Sequence, residues 1–131
     1  MDERLTKLDW ADAMEERFID FAARCGEVVD ALPETRLGKH IAGQLVRSGT
    51  SPAPNYGEAC AAESRADFIH KLGVVLKELR ETRIWLKLAI RCKCLPAKRL
   101  DPLIVECSEL MNIIGKSIVT AKTSEPPKKR R

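Results

Sequence analysis

A row of basic side chains between residues 77 and 91 is the feature of this sequence best suited to binding chemistry. At about 100° per residue on a helix, its members fall within about 120° of one another. They are Lys77, Arg80, Arg83, Lys87 and Arg91. Cations spaced along one helix face can neutralise successive phosphates and release counterions, so the row predicts electrostatic binding of RNA or DNA without base readout.

Other interpretations of this basic row are open. Charged runs on helices are usually solvated, and Glu78 and Glu81 are near enough in sequence to neighbour Arg80 and Arg83. An arginine could also be buried against a second subunit. The net charge of +4 is only a mild bias towards anionic partners. With aromatic residues at 5%, no stacking surface of the kind used by single-strand binders is predicted.

A second basic cluster ends the sequence. Residues 123–131, TSEPPKKRR, have no apolar side chain apart from prolines, and we predict a disordered tail after a domain that spans residues 1–122. The tail could extend a phosphate-binding surface or simply raise solubility. Its cations are Lys128, Lys129, Arg130 and Arg131.

Residues for catalysis or metal binding are sparse, and we predict that the protein is not an enzyme and needs no cofactor. A di-iron bundle needs two Glu-x-x-His pairs; Asp67 and His70 have that spacing once, whereas His40 has no acidic residue three positions before it. The five cysteines offer one short pair, Cys92 and Cys94, too few for a zinc site. No glycine-rich phosphate loop and no G-x-S-x-G motif occurs.

Four predicted helices position these residues. The first runs from about residue 10 to 32, with Asp9 as its cap, and its apolar residues alternate spacings of four and three, as in antiparallel bundles. They are Met14, Phe18, Phe21, Cys25, Val28 and Leu32. No alternating strand pattern occurs, so the sequence predicts an all-α, up-down-up-down four-helix bundle.

Local signals predict the ends of the other helices. Thr35 is a plausible cap for the second helix, and Ser64 for the third, which ends near Arg91. The fourth begins at Pro102, or a turn earlier at Pro96.

Two prolines interrupt the second helix within RSGTSPAPNYGEAC, residues 47–60. Pro52 and Pro54 cannot donate to the preceding turn, and each costs about 3 kcal/mol in a helix interior, so either a break or a well-supported kink is required. Asn55 and Tyr56 follow, and could satisfy the carbonyls that the prolines leave free.

The third helix also carries apolar residues outside its main core face. A bundle helix in a monomer needs a single apolar stripe, so the second set indicates either a subunit interface, which we favour, or an unusually wide core. The set comprises Ile69, Val74, Leu76, Ile84, Trp85 and Leu88.

Residues 38–89 resemble the bacterial four helix bundle protein family, whose founding members are encoded in intervening sequences of large-subunit ribosomal RNA genes. The stretches QLVRSGTS, NYGEA, ESRADFIHKL and KELRETRIWL carry the likeness, which extends loosely from about residue 8 to 119. The family usually has Ile, a small residue and Ala where this sequence has Pro52-Ala53-Pro54. Because the family's second helix continues there, the resemblance implies a kinked, continuous helix.

This resemblance also implies a non-enzymatic bundle that assembles as a homo-oligomer, typically a pentamer. The accessory variability determinant of diversity-generating retroelements is similar in fold, has a basic surface, binds nucleic acid and partners a reverse transcriptase. The corresponding expectation here is an oligomeric nucleic-acid-binding accessory protein. The alternative is a scaffold that docks a partner such as a reverse transcriptase without binding nucleic acid.

The sequence predicts a cytoplasmic protein without a membrane segment. No apolar run approaches the roughly 20 residues that span a bilayer, and MDERLTKLDW has no apolar signal-peptide core.

Overall fold

The computed structural model describes residues 3–124, and every regular element in that range is helical. The helices are α1 (Glu3–Ala31), α2 (Arg36–Thr50), α3 (Pro52–Cys60), α4 (Arg65–Arg91) and α5 (Ala97–Thr123). Since α2 and α3 are the two halves of one kinked helix, the predicted four-helix bundle is confirmed. None of these helices is long and apolar enough to cross a membrane.

Each helix of the bundle packs against its two neighbours. The kinked α2–α3 helix lies between α1 and α4, and α5 lies between α4 and α1. Within the described range, no Cα atoms come within 8 Å across the diagonals, which separate α1 from α4 and α5 from the kinked helix. The contact between the kinked helix and α4 is the most extensive of the four seams, and the contact between α1 and α5 is the least.

The core follows the predicted apolar faces closely. All six residues of the α1 seam are buried, as are Leu72, Val75, Leu79 and Leu86 of α4 and Leu103, Cys107, Leu110 and Ile114 of α5. Burying one such large side chain contributes about 1.5–3 kcal/mol, so these faces hold the four helices together. Helical spacing in the second helix also places Leu37 on the same face as Ile41 and Leu45 and predicts its burial, but Leu37 is 42% exposed, so that prediction was wrong.

Two helix starts are capped as predicted. The Oγ1 of Thr35 accepts a hydrogen bond from the Gly38 amide at 3.0 Å, and the Oγ of Ser64 accepts one from the Asp67 amide, also at 3.0 Å. Each cap satisfies an amide that the first turn leaves without a helical partner.

Two other starts differ from the simplest reading of the sequence. Helix α1 already begins at Glu3, so Asp9 lies within the helix and does not cap it. Helix α5 begins directly after Pro96, which is the earlier of its two predicted starts, and Pro102 therefore lies inside the helix.

The proline segment is a kink within a continuous helix. Ser51, between the two halves, has helical angles (φ −64°, ψ −37°). Its amide donates to the Arg47 carbonyl at 3.2 Å, and the Asn55 amide donates to the Ser51 carbonyl at 3.3 Å. The kink keeps α3 on the core, where the Tyr56 ring lies 5.0 Å from that of Phe18. The side-chain amide of Asn55 was predicted to satisfy a carbonyl freed by the prolines, but it donates to the Ser51 carbonyl instead, at 3.0 Å.

The second helix approaches its neighbours most closely just before the kink. A Cβ added to Gly49 would lie 2.7 Å from both the Cβ and the Sγ of Cys25 on α1. On the opposite side, the buried hydroxyl oxygens of Ser48 and Thr82 are 3.0 Å apart, which joins α2 to α4. The absent side chain at residue 49 therefore lets the two backbones come together.

Helix α4 ends in a Schellman motif. The Cys94 amide donates to the Ala89 carbonyl and the Lys93 amide to the Ile90 carbonyl, both at 2.9 Å. Lys93 takes the left-handed position with φ 59°, where glycine is usual. The predicted end of this helix near Arg91 is confirmed.

Candidate nucleic-acid interface

The predicted basic row lies on the outward face of α4. Lys77, Arg80, Lys87 and Arg91 are exposed, whereas Arg83 is half-buried and its Nη1 donates to Ser108 Oγ on α5 at 3.2 Å. From residue 77 to residue 91 the helix rises about 21 Å. That length matches about six phosphates along one strand of a duplex, at about 3.4 Å each.

The acidic residues beside the row form ion pairs with a cation from another helix. Arg47 of α2 donates from Nη1 to Glu78 Oε2 at 3.2 Å and from Nη2 to Glu81 Oε1. Trp85 Nε1 also donates to that Glu81 oxygen, at 3.3 Å. The alternative in which these carboxylates pair with Arg80 is therefore not the observed arrangement.

The four exposed cations of the row have no ion-pair partner among the described residues. Their charge is thus available to an external anion. Sequence reasoning missed the role of Arg47 because it is 31 positions away from Glu78 and no local pattern connects them.

Helix α5 adds a cation that the sequence did not connect to the row. Arg80 and the exposed Lys116 line opposite sides of a surface groove of about 580 Å³ between α4 and α5. The rest of the groove is formed by Leu76, Met111, Asn112, Gly115, Val119 and Thr120. No Asp or Glu within the described part of the chain contributes to this lining, so the groove combines positive charge with partly apolar walls.

The basic face continues into the turn between α4 and α5. After Arg91, the exposed Lys93 lies in this turn, whereas the exposed Lys98 and Arg99 lie in the first turn of α5, and Arg99 lines a groove with Arg24 and Glu27 of α1. Cations next to the C-terminus of α4 also interact favourably with the partial negative charge of that helix end. The basic tail residues Lys128, Lys129, Arg130 and Arg131 lie outside the described residues.

The six apolar residues expected at a subunit interface have different environments. Leu76, Trp85 and Leu88 are half-buried against the core of their own chain, so their apolar character is explained within one subunit. Trp85 also meets the His40 ring edge-on, with ring centroids 5.7 Å apart. Ile69 and Val74 are half-buried, and Ile84 is 62% exposed in the middle of the basic row.

The residues considered for catalysis or metal binding do not converge. Asp67 and His70 are both exposed, and among the described residues no three His, Cys, Asp or Glu side chains are placed to hold a metal. Burial raises the pKa of the Cys25 and Cys107 thiols to about 12, which keeps both protonated at neutral pH. Cys107 Sγ donates to the Leu79 carbonyl at 3.1 Å, as expected of a thiol with a structural role.

Comparison with protein families identifies a match over most of the chain. Residues 13–116 match the family described as 23S rRNA-intervening sequence protein. The chain belongs to this family. The matched residues run from α1 into α5 and include the whole of α4 with its basic row, which confirms the resemblance identified from the sequence.

A solved structure supports the family fold. The chain is similar to a protein of unknown function from the S23 ribosomal protein family of Bacteroides thetaiotaomicron VPI-5482, whose crystal structure was determined at 1.70 Å resolution. The two are 33% identical, with a TM-score of 0.75, and the similarity covers 79% of this chain and 96% of that one. No curated protein matches the chain.

Proposed function

We propose that this 23S rRNA-intervening sequence protein is a non-enzymatic, cytoplasmic accessory factor that binds RNA or DNA through the outward face of α4. One observation carries the proposal: four exposed cations on that face have no described ion-pair partner, while the neighbouring Glu78 and Glu81 are engaged by Arg47. Such a face attracts a polyanion along about 21 Å of helix, and no base needs to be read.

Assembly would multiply this charge. The family resemblance suggests a homo-oligomer, typically a pentamer, and Val105 of α5, outside the basic row, is an exposed apolar residue that a second copy could cover. A symmetric ring brings several basic faces to one polyanion, so contacts that are weak in one subunit become strong together. The size of the assembly is measured by sedimentation equilibrium, in which Val105→Asp is expected to lower the mass. Ile19→Asp on α1, which is 45% exposed in the native chain, serves as the control and is expected to leave the mass unchanged.

A second candidate function is a scaffold that docks a protein such as a reverse transcriptase. The observation that favours it is the exposure of two large apolar residues, Ile84 of α4 at 62% and Val105 of α5 at 58%. Apolar surface contributes little to phosphate binding but is typical of protein interfaces. Capture of such a partner that survives nuclease treatment, without any binding of RNA or DNA, would favour this function.

The experiment for the nucleic-acid proposal is a titration of fluorescently labelled RNA and DNA, read by anisotropy, at several salt concentrations. We compare the native chain with two triple variants that both lower the net charge from +4 to +1 (4 − 3 = 1). The first neutralises the α4 face with Lys77→Gln, Arg80→Gln and Lys87→Gln. The second, the control, neutralises cations elsewhere on the surface with Arg36→Gln, Lys39→Gln and Lys71→Gln.

For the native chain, log affinity is expected to fall linearly with log salt concentration. Each lost phosphate contact reduces that slope by about 0.7 for single strands or about 0.9 for duplex, so the α4 variant should lose about 2 to 3. The control variant is expected to keep the native slope. Equal slopes in the two variants, or no salt-dependent binding by the native chain, would refute the proposal.

A further inference from the structure

A cleft of about 590 Å³ opens on the other side of α5 from the basic groove. Trp10 of α1 and Phe68 of α4 form its aromatic wall, although they are far apart in the sequence. Helix α5 supplies the remaining lining residues, which are Ile113, Lys116, Ser117, Thr120 and Ala121. The cleft borders the seam between α1 and α5, which is the least extensive in the bundle.

The chemistry of this cleft fits a nucleobase. The indole of Trp10 is 51% exposed, so a large π surface is accessible beside the half-buried Phe68 ring. Aromatic side chains of this kind bind unpaired bases by stacking, with little dependence on base identity. Lys116 in the lining provides the positive charge that the adjoining phosphate requires, and no Asp or Glu among the described residues lines the cleft.

The cleft is continuous in charge with the basic face of α4. Lys116 and Thr120 line both this cleft and the groove between α4 and α5, so they form a ridge that separates the two. Beyond the ridge, the groove contains the Arg80 cation and the Asn112 amide. A strand that crosses the ridge at Lys116 therefore connects an aromatic cleft with the row of exposed cations.

We propose that the protein selects single-stranded nucleic acid, and that one unpaired base stacks on Trp10 while its strand crosses α5 at Lys116 towards Arg80. The inference rests on the proposed function, to which it adds the class of ligand. A duplex cannot offer this contact, because its bases are already stacked and paired within the helix. An acidic peptide would share the electrostatics, but an exposed indole in a cleft without carboxylates matches a base and its phosphate together.

The first experiment uses the fluorescence of Trp10. The sequence contains two tryptophans, so Trp85→Phe leaves Trp10 as the one indole reporter. Trp85 lies between α2 and α4, away from the cleft. A short single-stranded RNA is expected to quench this fluorescence on binding. The same sequence annealed as a duplex is expected to bind through α4 without quenching.

The second experiment measures affinities of single strand and duplex for substituted chains. Trp10→Ala is expected to lower the affinity for the single strand about tenfold, because one stacked base contributes about a factor of ten in affinity. The affinity for the duplex is expected to stay unchanged. Trp10→Phe keeps a stacking surface and should restore most of the loss. Lys116→Gln should weaken both ligands, and circular dichroism checks that every variant retains native helix content.

The outcomes separate this inference from the proposed function. If single strand and duplex bind equally and Trp10→Ala changes neither, the stacking site is wrong, even when the α4 triple variant still lowers the salt slope. If an apolar dye binds the cleft and single-stranded RNA does not displace it, the cleft belongs to an apolar ligand and the inference is also overturned. If the native chain binds no nucleic acid, the proposed function fails, and the inference fails with it.

Discussion

The close approach of α2 to α1 at Gly49 makes a sharp test of the packing described above. In the substitution Gly49→Ala, the new methyl group would lie 2.7 Å from both the Cβ and the Sγ of Cys25. Carbon atoms in favourable contact are about 3.5–4.0 Å apart, so the two helices must separate by about 1 Å. Cys25 is fully buried and its Cβ is attached to the α1 backbone, so the clash cannot be relieved by rotating a flexible side chain.

Two opposing effects set the size of the change. Overpacking a core by one methyl group costs about 1–3 kcal/mol, and a contact with two atoms of a buried residue belongs at the upper end of that range. Alanine in place of glycine stabilises a helix by about 1 kcal/mol. We therefore expect Gly49→Ala to lower the free energy of unfolding by about 2 kcal/mol.

Gly43→Ala is the matched control for this substitution. Gly43 lies on the exposed face of the same helix, and a Cβ added there meets nothing within 4 Å. The control is expected to raise the free energy of unfolding by about 0.5–1 kcal/mol, because the helix propensity is gained without a clash. The assay is urea unfolding followed by circular dichroism, at one protein concentration for all variants.

The difference in unfolding free energy between Gly49→Ala and Gly43→Ala decides whether the α1 and α2 backbones are in close contact at residue 49. If Gly49→Ala is as stable as Gly43→Ala, the two helix backbones are not as close at residue 49 as the structure has them. If both variants gain stability by similar amounts, helix propensity alone explains the data, and the proposed role of the missing side chain is refuted.

Three further predictions concern other regions of the bundle. Lys93→Gly is expected to raise the unfolding free energy by about 1 kcal/mol in urea, because φ 59° strains every residue with a Cβ. Hydrogen bonds from Arg17 of α1 hold the pKa of Glu106 below its usual 4.5. The carboxylate therefore stabilises the fold above pH 4.5, and this contribution is lost as the pH falls through the lowered pKa. Glu106→Gln should consequently lose less stability than the native chain on acidification below pH 4.5, as read from thermal melts. Iodoacetamide at neutral pH is expected to modify the exposed Cys92 and to spare Cys25 and Cys107 until the protein unfolds, as read by peptide mass spectrometry. The reason is that the thiols of Cys25 and Cys107 are fully buried and their pKa is raised to about 12.

Each of these predictions has a contrary outcome. A glycine at residue 93 that destabilises the protein would mean that the lysine side chain makes a contact worth more than the backbone strain. Parallel acid profiles for the native and Glu106→Gln chains would mean that the ion pair with α1 adds nothing to folding. Rapid alkylation of Cys25 in the native state would mean that α1 and α2 separate readily.

Local sequence signals predicted the fold because the properties they report are local. The spacing of apolar residues defines a buried stripe on each helix, and the caps at Thr35 and Ser64 depend on residues three positions away. The clustering of the basic row was predictable for the same reason, since about 100° per residue places its members within about 120° of one another. Its exposure was left open by the sequence. The kink at Pro52 needed the resemblance as well, because proline chemistry by itself allowed either a break or a bend.

The sequence by itself thus determined four helices, their inward faces, the membership of the family and the clustering of the cations on one face of α4. Tertiary structure decided which distant groups meet. Arg47 forms ion pairs with Glu78 and Glu81, and Trp10 and Phe68 line the same cleft. The physical reason is that helical periodicity sets the angle of a side chain about its own axis, whereas its neighbours across a seam depend on how the helices pack. That packing joins residues many turns apart, and no local pattern in a single sequence records it.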